Sequence, residues 1–185
     1  MVRASDDSFR HLRADIARTA KKAGGGLARR SLVAWRSPGV HAVAALRFGQ
    51  WLSTRGLPLR IALTPVYVML ARRSRGRWGI EIPRATRVGP GLYIGHAGCV
   101  VVSSEARIGS NVTLSHDVTI GVAGRQPHRG APTIEDDVYI APGARISGPI
   151  RIGRRARIGP NAVVFRDVPP GAKVVAPESR VILPD

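Results

Sequence analysis

The sequence predicts a mainly β chain, a triangular solenoid of short parallel strands preceded by a small α-helical region. Three observations predict it. Aliphatic residues recur every six positions through the second half. Gly, Asn and Asp punctuate that repeat at fixed offsets. The first half lacks the repeat and instead carries apolar residues at helical spacing.

Residues 1–30 are basic, contain Gly24-Gly25-Gly26, and read as a poorly ordered arm or a loose helix. Residues 31–78 read as helical. Ser37-Pro38 has the form of an N-cap followed by proline in the first turn. Val40, Ala44, Phe48 and Trp51 then follow at near-helical spacing, and Gly56-Leu57-Pro58 stops that helix. A second apolar run, Ile61 to Ala71, is expected to break at Pro65 and close on Arg72, Arg73, Arg75 and Arg77.

Residues 79–185 hold the repeat. Ile82, Val88, Ile94 and Val100 come first; a two-residue insertion precedes Ile108, Leu114 and Ile120. An eight-residue insertion precedes Ile134, Ile140, Ile146, Ile152, Ile158 and Val164. A period of six is neither helical nor simple strand alternation. Three such sides make a coil of about 18 residues. Successive coils pair in parallel at about 4.8 Å, so like residues stack in columns. Asn111, Asp117, Asp137 and Asn161 fall three places after an aliphatic residue, where a corner can demand left-handed backbone.

Composition bounds the function. The 185 residues carry a net charge of +17, and 29 Lys and Arg stand against 12 Asp and Glu. Residues 1–78 hold 16 of the basic residues and 3 of the acidic ones. No nucleic-acid motif accompanies that charge, so no nucleic-acid partner is expected. Amphipathic helices packing on a neighbouring subunit, or peripheral contact with an anionic membrane, are both compatible with it. The apolar runs are too short for a transmembrane helix, and the first residues lack the apolar core of a secretory signal. The single cysteine, Cys99, excludes an internal disulfide framework and fits a cytoplasmic setting, with the inner membrane face as the alternative.

The span from Gly79 to Ile182 resembles the hexapeptide-repeat acyltransferases, above all serine O-acetyltransferases and their short relatives in polysaccharide gene clusters. The matching stretches include Gly91 to Gly98, Val112-Thr113-Leu114, Val118 to Gly121, Asp136 to Ile140, Gly143 to Ile146, Asn161 to Val164 and Asp167 to Ala172. Ser179-Arg180-Val181-Ile182 matches the end of the last coil. The resemblance implies a left-handed parallel β-helix, a homotrimer or a multiple of it, and acetyl-CoA as co-substrate with no metal.

Acetyl transfer to a hydroxyl needs a base, and His is the usual one. His96, His116 and His128 lie in the solenoid half. The resemblance makes His96 the catalytic base and Glu81, fifteen residues earlier, its carboxylate partner. His116 shares the corner of His96 one coil later. The long segment Gly121 to Thr133 matches the family's active-site loop, so His116, Arg125, His128 and Arg129 are expected at the acceptor. A zinc pair of stacked imidazoles is a minor alternative. The resemblance places the pantetheine arm of the donor along Gly121, Ala141, Gly143, Ala144, Gly159 and Ala162. Arg145 would meet the donor's phosphates, as could Arg157 and Arg166.

Two departures bear on the acceptor. Gly95 stands where the family has Asp, and Gly130-Ala131 stand where it has an Arg-His pair. The transfer machinery is matched while the serine clamp is not. The expected activity is O-acetylation of a small hydroxy acceptor, serine-like in the first instance. A saccharide hydroxyl in polysaccharide or glycoconjugate assembly is the alternative, and a non-catalytic or membrane-docking scaffold the alternative of another class. The chain ends Leu183-Pro184-Asp185 and lacks the terminal Ile with which the family docks on cysteine synthase, so no such complex is expected.

Overall fold

A computed structural model describes residues 7–178. Four helices come first: α1 (Ser8–Ala23), α2 (Leu27–Arg36), α3 (Pro38–Ser53) and α4 (Leu57–Trp78). Fourteen short strands then wind five coils. The first coil holds β1 (Ile80–Glu81), β2 (Arg87–Val88) and β3 (Tyr93–Ile94); the second holds β4 (Val100–Val102), β5 (Arg107–Ile108) and β6 (Thr113–Leu114). The third holds β7 (Thr119–Gly121), β8 (Thr133–Ile134) and β9 (Tyr139–Ile140), and the fourth β10 (Arg145–Ser147), β11 (Arg151–Ile152) and β12 (Arg157–Ile158). The fifth holds β13 (Val163–Val164) and β14 (Lys173–Val174), with Val168 bridged to Ile152 between them.

The strands form three parallel sheets, one per side of a prism: β1-β4-β7-β10-β13, β2-β5-β8-β11 and β3-β6-β9-β12-β14. We call these the first, second and third faces. Their registers put aliphatic residue on aliphatic residue. Ile94, Leu114, Ile140 and Ile158 form one column; Val88, Ile108, Ile134 and Ile152 form another. Every member of the sixfold repeat is buried except Ile82, which packs partly buried on the core. The corners use left-handed backbone at Asn111, Asp117, Asp137 and Asn161, as their spacing requires.

The two-residue insertion is absorbed differently from a plain count of six. Ile80, not Ile82, pairs with Val100, while Val102 pairs with Ile120. Val100 and Val102 both point inward and Val101 is exposed, so β4 is long enough to serve the rung on either side of it. The eight-residue insertion leaves the prism altogether, as a loop after β7.

The helices differ from their sequence reading in two respects. Of the segment expected as an arm or a loose helix, Ser8–Ala23 forms the regular helix α1, docked on the first coil. Helix α4 also runs through Pro65 without ending. Tyr67, two residues further on, lies over Gly49 of α3 so closely that a Cβ there would meet its ring. That packing holds α4 in place although proline removes one helical hydrogen bond. Ser37 does occupy the N-cap position of α3, with Pro38 in the first turn, but its side chain makes no cap hydrogen bond.

The helices and the solenoid share one core: Ala42, Val43 and Leu46 of α3 pack in the same cluster as Ile80, Leu92 and Ile94. Gly39 brings the α3 backbone against the third face, where any Cβ would strike the Ile94 carbonyl at 2.3 Å. The first coil has no coil beneath it, and helix side chains take the backbone bonds that coil would have made. Arg47 donates to the carbonyls of Val88 (2.7 Å) and Gly89 (2.6 Å). Asp15 Oδ1 accepts from the Leu92 N–H at 2.7 Å. Gln50 donates to the Thr86 carbonyl and Ser74 to that of Ile80. Arg18 donates to the Gly91 carbonyl and, one coil further on, to that of Val112, which also accepts from the Tyr93 N–H.

Asp15 and Arg47 also pair with each other at 2.9 Å, almost entirely out of solvent. Burial pushes the Asp15 carboxyl above its ordinary range, against the opposing pull of Arg47 and of the Leu92 N–H. Replacing Arg47 by Met strands a buried carboxylate and two carbonyls. The expected cost is about 3–5 kcal/mol, seen as a lower urea midpoint. Asp15→Asn, which keeps the shape, should cost less.

Candidate functional site

The corner between the third and first faces gathers two of the candidate histidines. Each chain segment that leaves the third face turns there before re-entering the first. His96 lies in that turn after β3, and His116 in the equivalent turn after β6. Each is two places beyond an inward aliphatic residue, so the ring stands outside the prism. Both are exposed, and their ring centroids are 5.9 Å apart, edge to face. Stacking of the coils thus delivers the expected pair.

The turn of His116 is braced from the next coil. Arg145 donates to Asp117 Oδ1 at 2.9 Å and also to the Asp117 carbonyl. The guanidinium expected to meet donor phosphates is therefore engaged in holding the turn after His116. The sequence offered no sign of this, because the two residues are 28 apart and meet only through stacking.

Glu81 lies on β1, in the sheet that His96's turn runs into. Its Oε1 is 3.4 Å from Arg75 Nη1 at the end of α4. No hydrogen bond joins Glu81 to His96, so the structure places the two in neighbouring segments but does not pair them. Glu81, Arg75 and Arg72 also rim a cavity of about 230 Å³ between α3, α4 and the first coil, with Leu46, Tyr67 and Ile80 among its walls.

The loop after β7 is a small hairpin. Ala123 and Gly130 exchange backbone hydrogen bonds of 3.0 Å, and His128 N–H donates to the Arg125 carbonyl at 2.7 Å. Arg125, His128 and Arg129 are all exposed, and Arg129 reaches Glu105 at 3.4 Å. This loop springs from the corner between the first and second faces. His96 and His116 occupy the other edge of the first face. Within one chain the structure therefore does not bring the loop residues to the imidazole pair.

The donor residues divide. Ala144 and Ala162 turn their side chains into the core, so they offer at most backbone to a ligand. Gly143 has φ +76°, and a Cβ there would lie 1.9 Å from Asn161 Oδ1, so its turn alone demands glycine. Gly121 sits half-buried on β7, its carbonyl accepting from Gly148. Ala141 and Gly159 do line an open groove of about 520 Å³ on the third face and its corner, with Pro142, Pro160, Arg157 and Lys173. At Gly159 a Cβ would meet the Val174 carbonyl at 2.7 Å. Lys173 was unmarked by any sequence motif; it reaches the groove because β14 stacks on β12.

On the other side of His96, Lys22 at the end of α1 sits 4.3 Å above the Tyr93 ring, and Arg36 at the end of α2 lines the same cleft. These helix residues were also missed, since nothing in the sequence tells which coil a helix end will face. Among the described residues no group of three or more His, Cys, Asp or Glu is placed to hold a metal ion. No described helix is long and apolar enough to cross a membrane. The match expected at Ser179 to Ile182 and the terminal Leu183-Pro184-Asp185 lie outside the described residues.

Residues 131–166 match the family model for the bacterial transferase hexapeptide (six repeats). The chain is 40% identical over 145 residues to a serine acetyltransferase of Mycobacterium tuberculosis, covering 78% of this chain and 61% of that protein. It is 34% identical over 148 residues to the serine acetyltransferase of Helicobacter pylori strain J99, covering 80% and 83%. Among solved structures it resembles the Neisseria gonorrhoeae serine acetyltransferase in complex with serine (TM-score 0.77, 29% identity, 97% of this chain and 71% of that one). It likewise resembles the Brucella abortus enzyme in complex with coenzyme A (TM-score 0.77, 28% identity, 97% and 69%). The chain spans 61% and 57% of the Mycobacterium and Synechococcus relatives, so it is shorter than several of the proteins it matches. With the solenoid a left-handed parallel β-helix behind N-terminal helices, and a relative matched over most of its length, the chain belongs to the hexapeptide-repeat serine acetyltransferase family.

Proposed function

We propose that the chain is an acetyl-CoA-dependent O-acetyltransferase acting on the hydroxyl of a small acceptor, with His96 as general base. The observation that carries this reading is the exposed His96 imidazole, held outside the Ile94 column and edge-on to His116, in a chain of this family. In one step, His96 takes the acceptor's hydroxyl proton as the oxygen attacks the thioester carbonyl carbon. The tetrahedral oxyanion collapses, the carbon–sulfur bond breaks, and the thiolate of coenzyme A takes the proton from the imidazolium. No acyl-enzyme forms.

The donor fits the groove beside Ala141 and Gly159, where small residues admit a pantetheine arm to the backbone. Arg157 and Lys173 stand there for the phosphates, in place of Arg145. The loop residues Arg125, His128 and Arg129 are separated from His96 by the width of one face. They serve an acceptor only at a neighbouring chain's corner, and we therefore read the homotrimer as the smallest complete unit.

Acceptor recognition departs from serine at Gly95 and Gly130-Ala131, which favours the saccharide reading within the same chemistry. A scaffold without catalysis is separated from both by one variant. His96→Ala should lower kcat by about 10²–10⁴-fold in a free-thiol assay with acetyl-CoA, without changing the thermal midpoint. An unchanged rate removes His96 from the mechanism.

Glu81 becomes the positioning carboxylate when it turns from Arg75 to the imidazole. There it would fix the tautomer of the ring and stabilise the imidazolium formed in the reaction. Glu81→Gln should therefore reduce kcat while leaving KM for acetyl-CoA unchanged, and Glu81→Asp should restore part of the loss. An unchanged kcat would assign Glu81 to structure alone.

The helical surface bears on location. Leu57, Leu59, Ile61 and Met69 of α4 are exposed, with Arg60, Arg72 and Arg73 on the same helix. Apolar side chains flanked by arginines suit peripheral contact with an anionic bilayer. Flotation with phosphatidylserine-containing vesicles should succeed for the intact protein and fail for Ile61→Glu combined with Met69→Glu.

A further inference from the structure

The cleft between the helix ends and β3 lies immediately beside the base. It encloses about 340 Å³, and its floor is Tyr93 and Gly95, the residue before His96. Lys22 and Arg36 stand over it, and Leu32 and Pro38 give it an apolar side. No carboxylate lines it. The nearest acid on α1, Asp15, is buried and committed to Arg47 and Leu92. Lys22 and Arg36 make no ion pair among the described residues, so their charges are available to a ligand. Lys21 and Arg18 continue the basic edge along α1. Crowding shows on Lys22 itself, whose ammonium is made more acidic by burial and then by Arg18.

Gly95 tells the same story by subtraction. Its φ is not in the left-handed region, and a Cβ there would lie 3.5 Å from the Tyr93 ring, an ordinary contact. Neither backbone nor space requires glycine. The position could carry a carboxylate and does not, which leaves the cleft open, with Lys22 and Arg36 as the charged groups of its lining. An acceptor's ammonium would find no partner and two like charges there, and rejecting a group by leaving it unpaired is an effective source of specificity.

We infer that this cleft is the acceptor site and selects a hydroxy compound of net negative charge, an acidic or phosphorylated sugar, over zwitterionic serine. This deepens the proposed function and rests on His96 as the base. The acceptor's carboxylate or phosphate would lie between Lys22 and Arg36 in charge-assisted hydrogen bonds. Its ring would pack on Tyr93, and the hydroxyl to be acetylated would point past Gly95 to the imidazole.

The test uses the full chain with acetyl-CoA, following thiol release with L-serine, glucose, glucuronate and glucose 1-phosphate. At least one of the two anions should show kcat/KM tenfold or more above glucose and serine, and which anion wins separates carboxylate from phosphate. Lys22→Gln and Arg36→Gln should each remove most of that preference, leaving KM for acetyl-CoA and the thermal midpoint unchanged. Gly95→Asp should also weaken use of the anion. Transfer that depends on His96 but ignores acceptor charge, or prefers serine, overturns the inference and leaves the base reading standing. Transfer that survives His96→Ala overturns the base reading instead. If none of the four turns over, calorimetric titration decides. Binding of an anion that is lost with Lys22→Gln supports the inference, and equal or absent binding of anion and glucose overturns it.

Discussion

Each coil of this protein buries its aliphatic side chains against those of a neighbouring coil or, at the first coil, also against the helices. Ile94, Leu114, Ile140 and Ile158 lie one above another because the parallel backbone bonds fix a single spacing and a single direction. That constraint removes nearly all freedom from the faces. What varies is confined to corners, where the chain turns and side chains leave the prism. The candidate site residues follow suit: the imidazoles, the loop and the groove beside Ala141 and Gly159 all occupy corners or lie against them.

Stacking also decides which distant residues meet. Arg145 braces the turn of His116 because it sits one coil later on the same corner, and Lys173 reaches the groove because β14 completes the column above β12. The three faces equally decide which residues are kept apart. A loop issuing from one edge of a face and an imidazole mounted on the other are held at fixed separation by the rigid strands between them. A flexible scaffold could have folded one onto the other within a chain. A prism does not.

The solenoid was legible because its repeat is a direct image of its cross-section. The six-residue spacing gives the faces, and Asn or Asp at a constant offset gives the left-handed corners. His96 and His116 followed from the same arithmetic. The count failed at the insertion before Ile108, since Val100 and Val102 are both aliphatic and sequence alone does not say which of them a neighbouring rung will choose. The helical half was legible as helices but not as contacts. Nothing in the residues around Gly24 signals that Asp15 will bond the backbone of Leu92, 77 positions away. Pro65 misled for a related reason, because the packing of Tyr67 on Gly49 outweighs a local preference. Ala144 and Ala162 were read as small residues beside a ligand; their side chains fill the narrow interior of the prism, which leaves only their backbone to one.

The bonds from Arg47, Asp15, Gln50 and Ser74 to the first coil carry a consequence for how copies of the molecule can join. A bare terminal rung offers a ladder of donors and acceptors at strand spacing, and such a ladder invites polymerisation end to end. Here that ladder is already occupied by side chains of the same molecule. Fibre growth from the sealed end is foreclosed, and association is steered to the flanks.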